Sequence, residues 1–592
     1  MPNGAIVTAG RSGGELLPMT RTSIVILLAS VALLAPFRRA DADAVVQADR
    51  ALIISGHPEA TRLGTEVLKN GGNAIDALVT TSLALSVAEP GNSGLGGKFV
   101  LLYYEAKTKD VTCVVALDAA PLKLDVNRAL KFDANQRKRG WVAACVPGLP
   151  AALGAAHAKW GTKKWTELVE PAAFLAEQGF KLSPLAAEMM SEFPKDVDAE
   201  ASRIYAPGGK KLAAGDVFRN ADLARTLVQI ADGGAKAFYQ GETAAKMIGA
   251  SRASGGAFSD EDFRSYQPRF LRPLKGSYHG NTIYTSPPPL IGGATLLASL
   301  GALSATPWPH DAKRSDVPIR PRDARYIDAV GRVLQQIYPE VARAAGDAPD
   351  SDDRVARLLE PQNLRDFARR ALLADPRNPS TPNDQRAAAD RTLDDGDEAS
   401  TTHLIVIDRF GNIACVTQSL GNHFGSGVVA PGTGVLLNND MNNFGYGSTT
   451  SVNYVAPGKW PRSTIAPTLV LNERTGRPTL VIGAPGGQRI PTGILQVMLD
   501  VIDFNRPLDE AIDAPRFHVR RSTSAKEAQN DVDVDSTTDA QVQQQLAERG
   551  WTITRREKGE FYFGAVNAAM FLPGGKILGV ADQRRTGDAG GG

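Results

Sequence analysis

A polar segment two-thirds of the way along this 592-residue chain divides it into two parts of different character. Residues 374–399 are rich in Asp, Arg, Pro and Asn and show no apolar periodicity, which predicts a mobile, solvated stretch. Helical patterns dominate before this segment, and strand signals dominate after it. We find no internal repeat. A helix-rich part followed by a strand-rich part indicates the α+β class.

The first part is predicted to alternate short strands with many helices. Strands are expected at residues 51–56, 99–104 and 111–117, and helices at residues 58–69 and 73–86. Residues 165–303 are expected to be mainly helical, interrupted by a polar stretch at 259–264 and a strand at 276–285. A Pro-rich connection is then predicted at residues 306–323, followed by one helix at 324–345 and another at 355–373.

The last part is predicted to be mainly strands. These are expected at residues 404–407, 413–417, 435–437, 468–471, 479–482, 561–571 and 576–580, with one helix at 492–503.

The first 44 residues are typical of a targeting segment. Arg21 precedes an apolar run at residues 24–37, and small residues at Ala40, Ala42 and Ala44 form a candidate cleavage site. We expect a signal peptide and a periplasmic or secreted protein. An uncleaved anchor is the alternative, because Arg38 and Arg39 interrupt the pattern; contact with a membrane is expected only if this leader is retained. The run is shorter than the roughly 20 residues of a comfortable membrane span.

Composition excludes several functions. The formal net charge of +2 argues against nucleic acid as a partner. The three cysteines, Cys113, Cys145 and Cys415, are too few for a disulfide scaffold and are predicted to be buried. The seven histidines show no metal-site spacing, so neither a metal nor a cofactor is expected. Residues 91–98 are rich in glycine but fail the phosphate-loop spacing, which favours a turn that lets the backbone pack closely.

Thr401 follows the polar segment and precedes an apolar strand, which makes it a candidate nucleophile. A threonine hydroxyl needs a base beside it, and its own α-amine can serve once the preceding peptide bond is cut. The unperturbed pKa of such an amine is about 8, close enough to neutrality for general-base catalysis. A threonine at the start of an ordinary strand is the alternative interpretation.

The motifs along the chain decide between these interpretations. They are Ser55-x-His57-Pro58, Gly71-Gly72-Asn73-Ala74, Glu89-Pro90, Gly96-Gly97, Val146-Pro147-Gly148, Pro287-Pro288-Pro289, Thr401-Thr402-His403, Asp408-x-x-Gly411-Asn412, Phe424-Gly425-Ser426-Gly427, Asn438-Asn439-x-Met441, Pro467-Thr468, Pro485-Gly486-Gly487-x-Arg489-Ile490 and Asp513-Ala514-Pro515-Arg516-Phe517-His518. Together, from about residue 51 to residue 582, they closely resemble the γ-glutamyltranspeptidase family.

The resemblance implies an N-terminal-nucleophile hydrolase with an αββα sandwich, self-cleaved from one precursor. The cut would fall between Ser400 and Thr401, giving a large subunit of residues 45–400 and a small subunit of residues 401–592. Thr401 would be the nucleophile and Ser419 the hydroxyl that orients it. The backbone N–H groups of Gly486 and Gly487 would form the oxyanion hole, since paired glycines allow close approach.

The residues that would recognise a glutamyl donor depart from the family pattern. The hydroxyl pair that helps hold the donor carboxylate is present as Ser463 and Thr464, but residues 115–121 contain no arginine to match the family's. Lys123 lies nearby and does not reproduce a bidentate guanidinium. The Asp that holds the donor ammonium is replaced by neutral Asn443, and the family's asparagine contact falls on Gly421, beside Asn422.

Three functions therefore stay open. The first is a self-processing hydrolase or acyltransferase acting on γ-glutamyl amides such as glutathione, with a small-molecule amide or peptide as substrate. The second is the same chemistry on another acyl group, as in oxamate-type amidohydrolases and cephalosporin-type acylases. The third is a non-catalytic exported relative, against which intact Thr401, Ser419 and Gly486 count. The choice between water and an amine as acyl acceptor also stays open.

Overall fold

A computed structural model describes residues 44–591 apart from 196, 309–318, 375–399, 521–529 and 558–560. Residues 1–43 of the predicted leader and residues 375–399 of the polar segment lie outside the described residues. So does most of the Pro-rich connection expected at 306–323.

Two seven-stranded antiparallel sheets form the centre of the described chain. Sheet one contains, in spatial order, β19 (Asp588–Gly591), β2 (Leu52–Ser55), β10 (Thr402–Ile407), β11 (Ile413–Ser419), β3 (Lys98–Glu105), β4 (Asp110–Ala116) and β7 (Arg269–Leu271). Sheet two contains β1 (Val45–Ala48), β18 (Ile577–Val580), β17 (Asn567–Phe571), β13 (Pro478–Gly483), β12 (Thr468–Asn472), β9 (Asn281–Thr285) and β8 (Leu274–Tyr278).

Two smaller sheets lie outside this centre. The strands β14 (Phe517–Val519), β15 (Asp531–Asp535) and β16 (Thr552–Arg556) form one of them, in which β15 pairs in parallel with β16. The strands β5 (Phe180–Lys181) and β6 (Val217–Phe218) form the other.

Nineteen α-helices occur among the described residues. They are α1 (Pro58–Lys69), α2 (Ala74–Ala88), α3 (Val126–Ala129), α4 (Ala134–Lys138), α5 (Leu149–Trp160), α6 (Trp165–Gln178), α7 (Pro184–Ser191), α8 (Ala199–Tyr205), α9 (Ala221–Gly233), α10 (Lys236–Gln240), α11 (Glu242–Ala253), α12 (Asp260–Ser265), α13 (Gly292–Ser304), α14 (Ala324–Ala344), α15 (Ser351–Leu358), α16 (Pro361–Leu373), α17 (Arg489–Asp503), α18 (Leu508–Asp513) and α19 (Ala540–Glu548). None of the described helices combines the length and apolarity needed to cross a membrane.

The two large sheets pack face to face between layers of helices. Strands β10 and β11 lie against β13 and β17, helices α1 and α2 contact sheet one, and α13 and α17 contact sheet two. Every residue of β10 and β11 is buried, which explains why these strands read as continuous apolar runs. Every residue of α2 is buried as well, so the helix shows little amphipathic pattern. The predicted α+β class is confirmed, with the layers ordered helix, sheet, sheet, helix.

Five local predictions are wrong. The strand expected at 276–285 is a hairpin of β8 and β9, because His279 and Gly280 turn the chain at φ angles of 44° and 76°. The helix expected at 355–373 is two helices, α15 and α16, because Glu360 is extended before Pro361.

Residues 435–437 form no strand, because Leu436 and Leu437 each make a single bridge to a different partner and cannot extend a ladder. The polar stretch at 259–264 is largely helix α12, whose first turn is capped by Ser259 and Asp262, so its polarity marks a helix start. Residues 561–571 do not form one strand: Phe561–Phe563 is a 3₁₀ turn, and Gly564 turns the chain at a φ of 67° before β17.

Candidate active site

The register of sheet one aligns three side chains beside the proposed cleavage point. Thr402 pairs with Gln418 across β10 and β11, so Thr401 lies opposite Ser419, and Ser419 pairs with Lys98 on β3. Residues opposite each other on neighbouring strands point to the same face of a sheet. Thr401, Ser419 and Lys98 therefore form one row on three adjacent strands. The predicted strand began at 404; its earlier start at Thr402 produces this alignment.

The peptide bond between Ser400 and Thr401 is buried and held from several sides. Thr401 Oγ1 contacts the carbonyl oxygen of Ser400 and donates to Ser419 Oγ at 3.0 Å. Ser419 Oγ donates to the same Ser400 carbonyl oxygen at 2.9 Å. The Ser400 amide donates to the carbonyl of Gly421 at 3.1 Å, and Ser400 Oγ donates to that of Gly91 at 2.6 Å. The candidate nucleophile Thr401, the Ser419 hydroxyl and the Ser400 carbonyl are thus in mutual contact.

Gly486 and Gly487 form the turn between β13 and α17. Their φ angles are 128° and 55°, a region in which a side chain would be strained. The turn leads directly into α17, so its N–H groups lie at the positive end of a helix, where negative charge is stabilised. Thr464 Oγ1 donates to the carbonyl of Gly487 at 2.7 Å and braces the turn. The arrangement suits an oxyanion hole.

A small pocket opens beside Thr401, and most of the predicted site residues line it. They are Ser400, Thr401, Ser419, Gly421, Asn443, Ser463, Thr464 and Gly487. Gly486 adjoins Gly487 but is not among the lining residues. With Ser400 in place the cavity has a volume of about 20 Å³, room for roughly one water molecule.

Gly421 contributes its backbone, and no side chain, to the candidate site. Its amide donates to Ser419 Oγ at 3.0 Å, and its φ is 92°. A Cβ atom there would lie 2.2 Å from Asn439 Oδ1 and 3.0 Å from Asp440 Oδ1, so no side chain fits. The next residue, Asn422, also lines the pocket.

The substrate-binding candidates also have structural partners. Asn443 Nδ2 donates to Asp440 Oδ1 at 3.0 Å, so this amide is tied to a buried carboxylate. The Ser463 carbonyl accepts from the amide of Ile291 at 2.8 Å, which holds the segment carrying Ser463 against the chain before α13.

Sequence reasoning missed a buried ion pair at the far end of the row. Lys98 Nζ donates to the two carboxylate oxygens of Asp440 at 2.5 and 2.7 Å, and both side chains are buried. Burial and the neighbouring Asp440 raise the pKa of Asp118 well above its usual value, which favours its neutral form. Lys98 lines the pocket, whereas in the sequence it only ends the glycine-rich stretch of residues 91–98 that fails the phosphate-loop spacing. The one feature of the sequence that points to Lys98 is its position directly before the strand predicted at residues 99–104.

A second missed pair, Glu89 and Arg585, lies on the other side of β10. Arg585 Nη1 donates to the Thr401 carbonyl at 2.9 Å. Burial raises the pKa of Glu89 to about 7, although the hydroxyl of Thr402, Asn92 and the charge of Arg585 oppose the shift. Burial likewise lowers the pKa of Arg585 to about 10. Arg585 therefore holds the carbonyl of Thr401, and Glu89 lies beside the next residue, Thr402.

The side chain of His403 has a structural role between the two large sheets. Its ring packs against Gly483 of sheet two, and its Nδ1 lies 2.8 Å from Thr417 Oγ1. Burial lowers the pKa of His403 to about 3, so the ring is neutral near pH 7. Among the described residues, Thr401 Oγ1 contacts the Ser400 carbonyl and the Ser419 hydroxyl, and neither group is a base near neutral pH.

Comparison with known proteins agrees with this geometry. A family model described as Gamma-glutamyltranspeptidase matches residues 60–592. The chain is 31% identical over 490 residues to the glutathione hydrolase proenzyme of Bacillus subtilis (strain 168), covering 80% of this chain and 81% of that protein. It is 29% identical over 550 residues to the acylase ACY 1 proenzyme of Pseudomonas sp. (strain SE83), covering 91% and 93%. The crystal structure of cephalosporin acylase from Bacillus halodurans superposes with a TM-score of 0.80 at 25% identity, covering 94% of this chain and 99% of that one.

Proposed function

This chain belongs to the γ-glutamyltranspeptidase family, and we propose that it is a precursor that cuts itself before Thr401 and then acts as an N-terminal-threonine amide hydrolase or acyltransferase. The cut would yield a large subunit of residues 45–400 and a small subunit of residues 401–592. The observation that carries this proposal is the contact of Thr401 Oγ1 and Ser419 Oγ with the carbonyl oxygen of Ser400.

Self-cleavage would begin with attack of Thr401 Oγ1 on the carbonyl carbon of Ser400. Ser419 donates a hydrogen bond to the oxygen that gains negative charge. The C–N bond then breaks, the α-amine of Thr401 takes up the hydroxyl proton, and an ester joins Ser400 to Thr401. Water hydrolyses this ester. The cut frees Ser400 from the pocket, which gives a substrate room to bind.

Turnover would use the same atoms. The new α-amine of Thr401 removes the proton from Oγ1, which attacks the amide carbonyl of the substrate. The N–H groups at Gly486 and Gly487 stabilise the oxyanion, and the leaving amine departs with the proton. The resulting acyl-enzyme passes its acyl group to water or to an acceptor amine, which restores the hydroxyl.

The first candidate substrate class is γ-glutamyl amides such as glutathione. It is supported by relatives named glutathione hydrolase proenzyme and by the hydroxyl pair Ser463 and Thr464 in the pocket. The second candidate is an amide with another acyl group. This second class is favoured by the neutral side chain of Asn443, whose amide is hydrogen-bonded to Asp440. Similarity to a protein named acylase ACY 1 proenzyme favours it as well.

Self-cleavage is tested directly by denaturing electrophoresis of the purified protein. We expect two chains, with N-terminal sequencing of the smaller one beginning at Thr401. Thr401→Ala should remain one chain, whereas Thr449→Ala, at an exposed threonine, should be cut normally. An uncut wild type, or a normally cut Thr401→Ala, would refute the proposal. Assay of a γ-glutamyl anilide beside simple acyl anilides then separates the two substrate classes.

A further inference from the structure

Glu89 is buried close to the proposed cleavage point, and the steps of the proposed function give it no role. It caps the C-terminal end of α2, where its amide donates to the carbonyl of Leu85 at 2.9 Å. Its own carbonyl accepts from the amide of Asn92 at 2.9 Å. Only 6% of the residue is exposed. Because it is costly to bury a carboxyl group without partners, the groups around this side chain indicate what it does.

One carboxyl oxygen of Glu89 is linked to Ser400 through a single side chain. Asn92 Nδ2 donates to Glu89 Oε1 at 3.0 Å, and Ser400 Oγ donates to Asn92 Oδ1 at 3.0 Å. An asparagine amide has its donors at one end and its acceptor at the other, so the bond to Glu89 turns the oxygen end toward Ser400. All three side chains are buried, where hydrogen bonds are stronger than in water.

The other carboxyl oxygen of Glu89 lies in a closely packed place. Glu89 Oε2 lies beside the hydroxyl of Thr402. A Cβ atom on Gly56 would lie 2.3 Å from this oxygen and 2.4 Å from that hydroxyl, so the carboxyl occupies space that a side chain at Gly56 would fill. Arg585 places an opposite charge nearby. These neighbours hold the carboxyl group in the position in which Asn92 binds it.

The position of Ser400 matters because its carbonyl carbon is the atom that Thr401 Oγ1 would attack. Attack needs the reacting atoms to lie about 3–3.5 Å apart, and a displacement of about 1 Å costs roughly 10²-fold in rate. The Ser400 hydroxyl donates to the Gly91 carbonyl at 2.6 Å and to Asn92. These bonds limit rotation of the residue, and loss of the bond to Asn92 would loosen it.

We propose that Glu89 is a positioning residue for self-cleavage, which holds Ser400 in reach of Thr401 through the side chain of Asn92. This inference rests on the proposed function. It gives Glu89 no direct part in turnover, because Ser400 leaves the pocket once the bond is cut. A carboxyl group that only stabilises the end of α2 is the competing interpretation.

The half-life of the uncut chain on denaturing gels tests the link. Glu89→Met fills a similar volume without an acceptor for Asn92, so self-cleavage should be about ten-fold slower than in the wild type. Glu89→Gln keeps an acceptor oxygen and should be cut at a rate close to that of the wild type. The exposed Glu177→Met is the matched control and should be cut normally. A wild-type rate for Glu89→Met would overturn the inference.

A second background separates a link through Ser400 from a general loss of stability. Ser400→Ala removes the hydroxyl that Asn92 binds, so Glu89→Met should have little further effect on the cleavage rate in that background. A structural role would slow cleavage by the same factor in both backgrounds, and that result would contradict the inference.

The link can also be broken at its middle residue, which keeps the test decisive if Glu89→Met does not fold. Asn92→Leu removes both hydrogen bonds and should slow self-cleavage at least as much as Glu89→Met does. Normal cutting of Asn92→Leu would refute the role of Glu89, since no other side chain in the proposal connects it to Ser400.

Turnover supplies a readout that a structural role would move. After processing, Glu89→Met should lose much less kcat/KM, with an anilide that the wild type cleaves, than it loses in cleavage rate. Equal losses of both in Glu89→Met, with a normally cut wild type, would refute this inference alone. An uncut wild type would refute the proposed function, and this inference with it.

Discussion

Ser419 Oγ lies 3.0 Å from Thr401 Oγ1 and also donates to the carbonyl oxygen of Ser400 at 2.9 Å. One hydroxyl therefore contacts both the proposed nucleophile and the carbonyl it would attack. The amide of Gly421 donates to Ser419 Oγ at 3.0 Å and fixes its position. These contacts give Ser419 two roles in the proposed self-cleavage, polarising the Ser400 carbonyl and orienting Thr401.

Ser419→Ala is expected to slow self-cleavage by about 10²- to 10³-fold, the usual effect of losing one oxyanion donor. The half-life of the uncut chain on denaturing gels measures this. Ser419→Thr keeps the hydroxyl and should process at a rate much closer to that of the wild type. If Ser419→Ala is cut as fast as the wild type, Ser419 plays no part in the cleavage.

Gly421→Ala is expected to destabilise the protein more than Gly140→Ala. Both glycines have positive φ, 92° and 85°, but a Cβ at Gly421 would lie 2.2 Å from Asn439 Oδ1, whereas a Cβ at Gly140 meets no atom within 4 Å. Left-handed strain costs about 1–2 kcal/mol in both, and overpacking adds about 1–3 kcal/mol at Gly421 alone. Denaturant unfolding of the uncut Thr401→Ala background measures the difference. Equal losses would show that the clash relaxes freely.

Thr464→Val is expected to lower kcat by about ten-fold with little change in KM. The variant loses the hydrogen bond to the carbonyl of Gly487, and the turn that would hold the oxyanion becomes looser. Steady-state kinetics with an active anilide measures both constants, and Thr464→Ser should restore kcat. A rise in KM at constant kcat would instead mean that Thr464 mainly contacts the substrate.

Glu89→Gln is expected to change how stability depends on pH. Burial raises the pKa of Glu89 to about 7 in the folded chain, against 4.5 for an ordinary glutamate. The folded state therefore retains a proton that the unfolded state loses, so the stabilisation is complete below pH 4.5 and is lost as pH rises through 7. At 1.36 kcal/mol per pKa unit, this corresponds to roughly 3 kcal/mol.

The measurement compares free energies of unfolding from pH 4.5 to 7.5 in the uncut Thr401→Ala background, with and without Glu89→Gln. The chain with Glu89 should lose stability relative to the Gln variant as pH rises. A constant difference across this range would show that Glu89 titrates as an exposed glutamate does.

Local patterns predicted much of the fold. The strands expected at 404–407 and 413–417 lie within β10 and β11, and the helix expected at 58–69 is α1. Such elements follow from hydrophobic periodicity and caps over a few neighbouring residues. The failures also have local causes. The polarity of residues 259–264 marks a helix start and not an interruption, and Gly564 turns the chain before β17.

The candidate site was predictable where motifs mark it and hidden where partners lie far apart in sequence. Ser463, Thr464 and Gly487 do line one pocket with Thr401. Lys98 and Asp440 are 342 positions apart, and no motif near either residue indicates that the two are paired. The same holds for Arg585, which reaches the Thr401 carbonyl from near the end of the chain.

The family, the candidate nucleophile Thr401 and the absence of the arginine expected within residues 115–121 follow from the order of amino acids alone. The folded chain was needed to show that Gly421 contributes its backbone, that Thr464 braces Gly487 and that Lys98 lies in the row of Thr401. These relations depend on strand register and burial, which are non-local. The pairing of β10, β11 and β3 determines which side chains lie on the same face of the sheet. The exclusion of water determines which of the ionisable side chains stay charged.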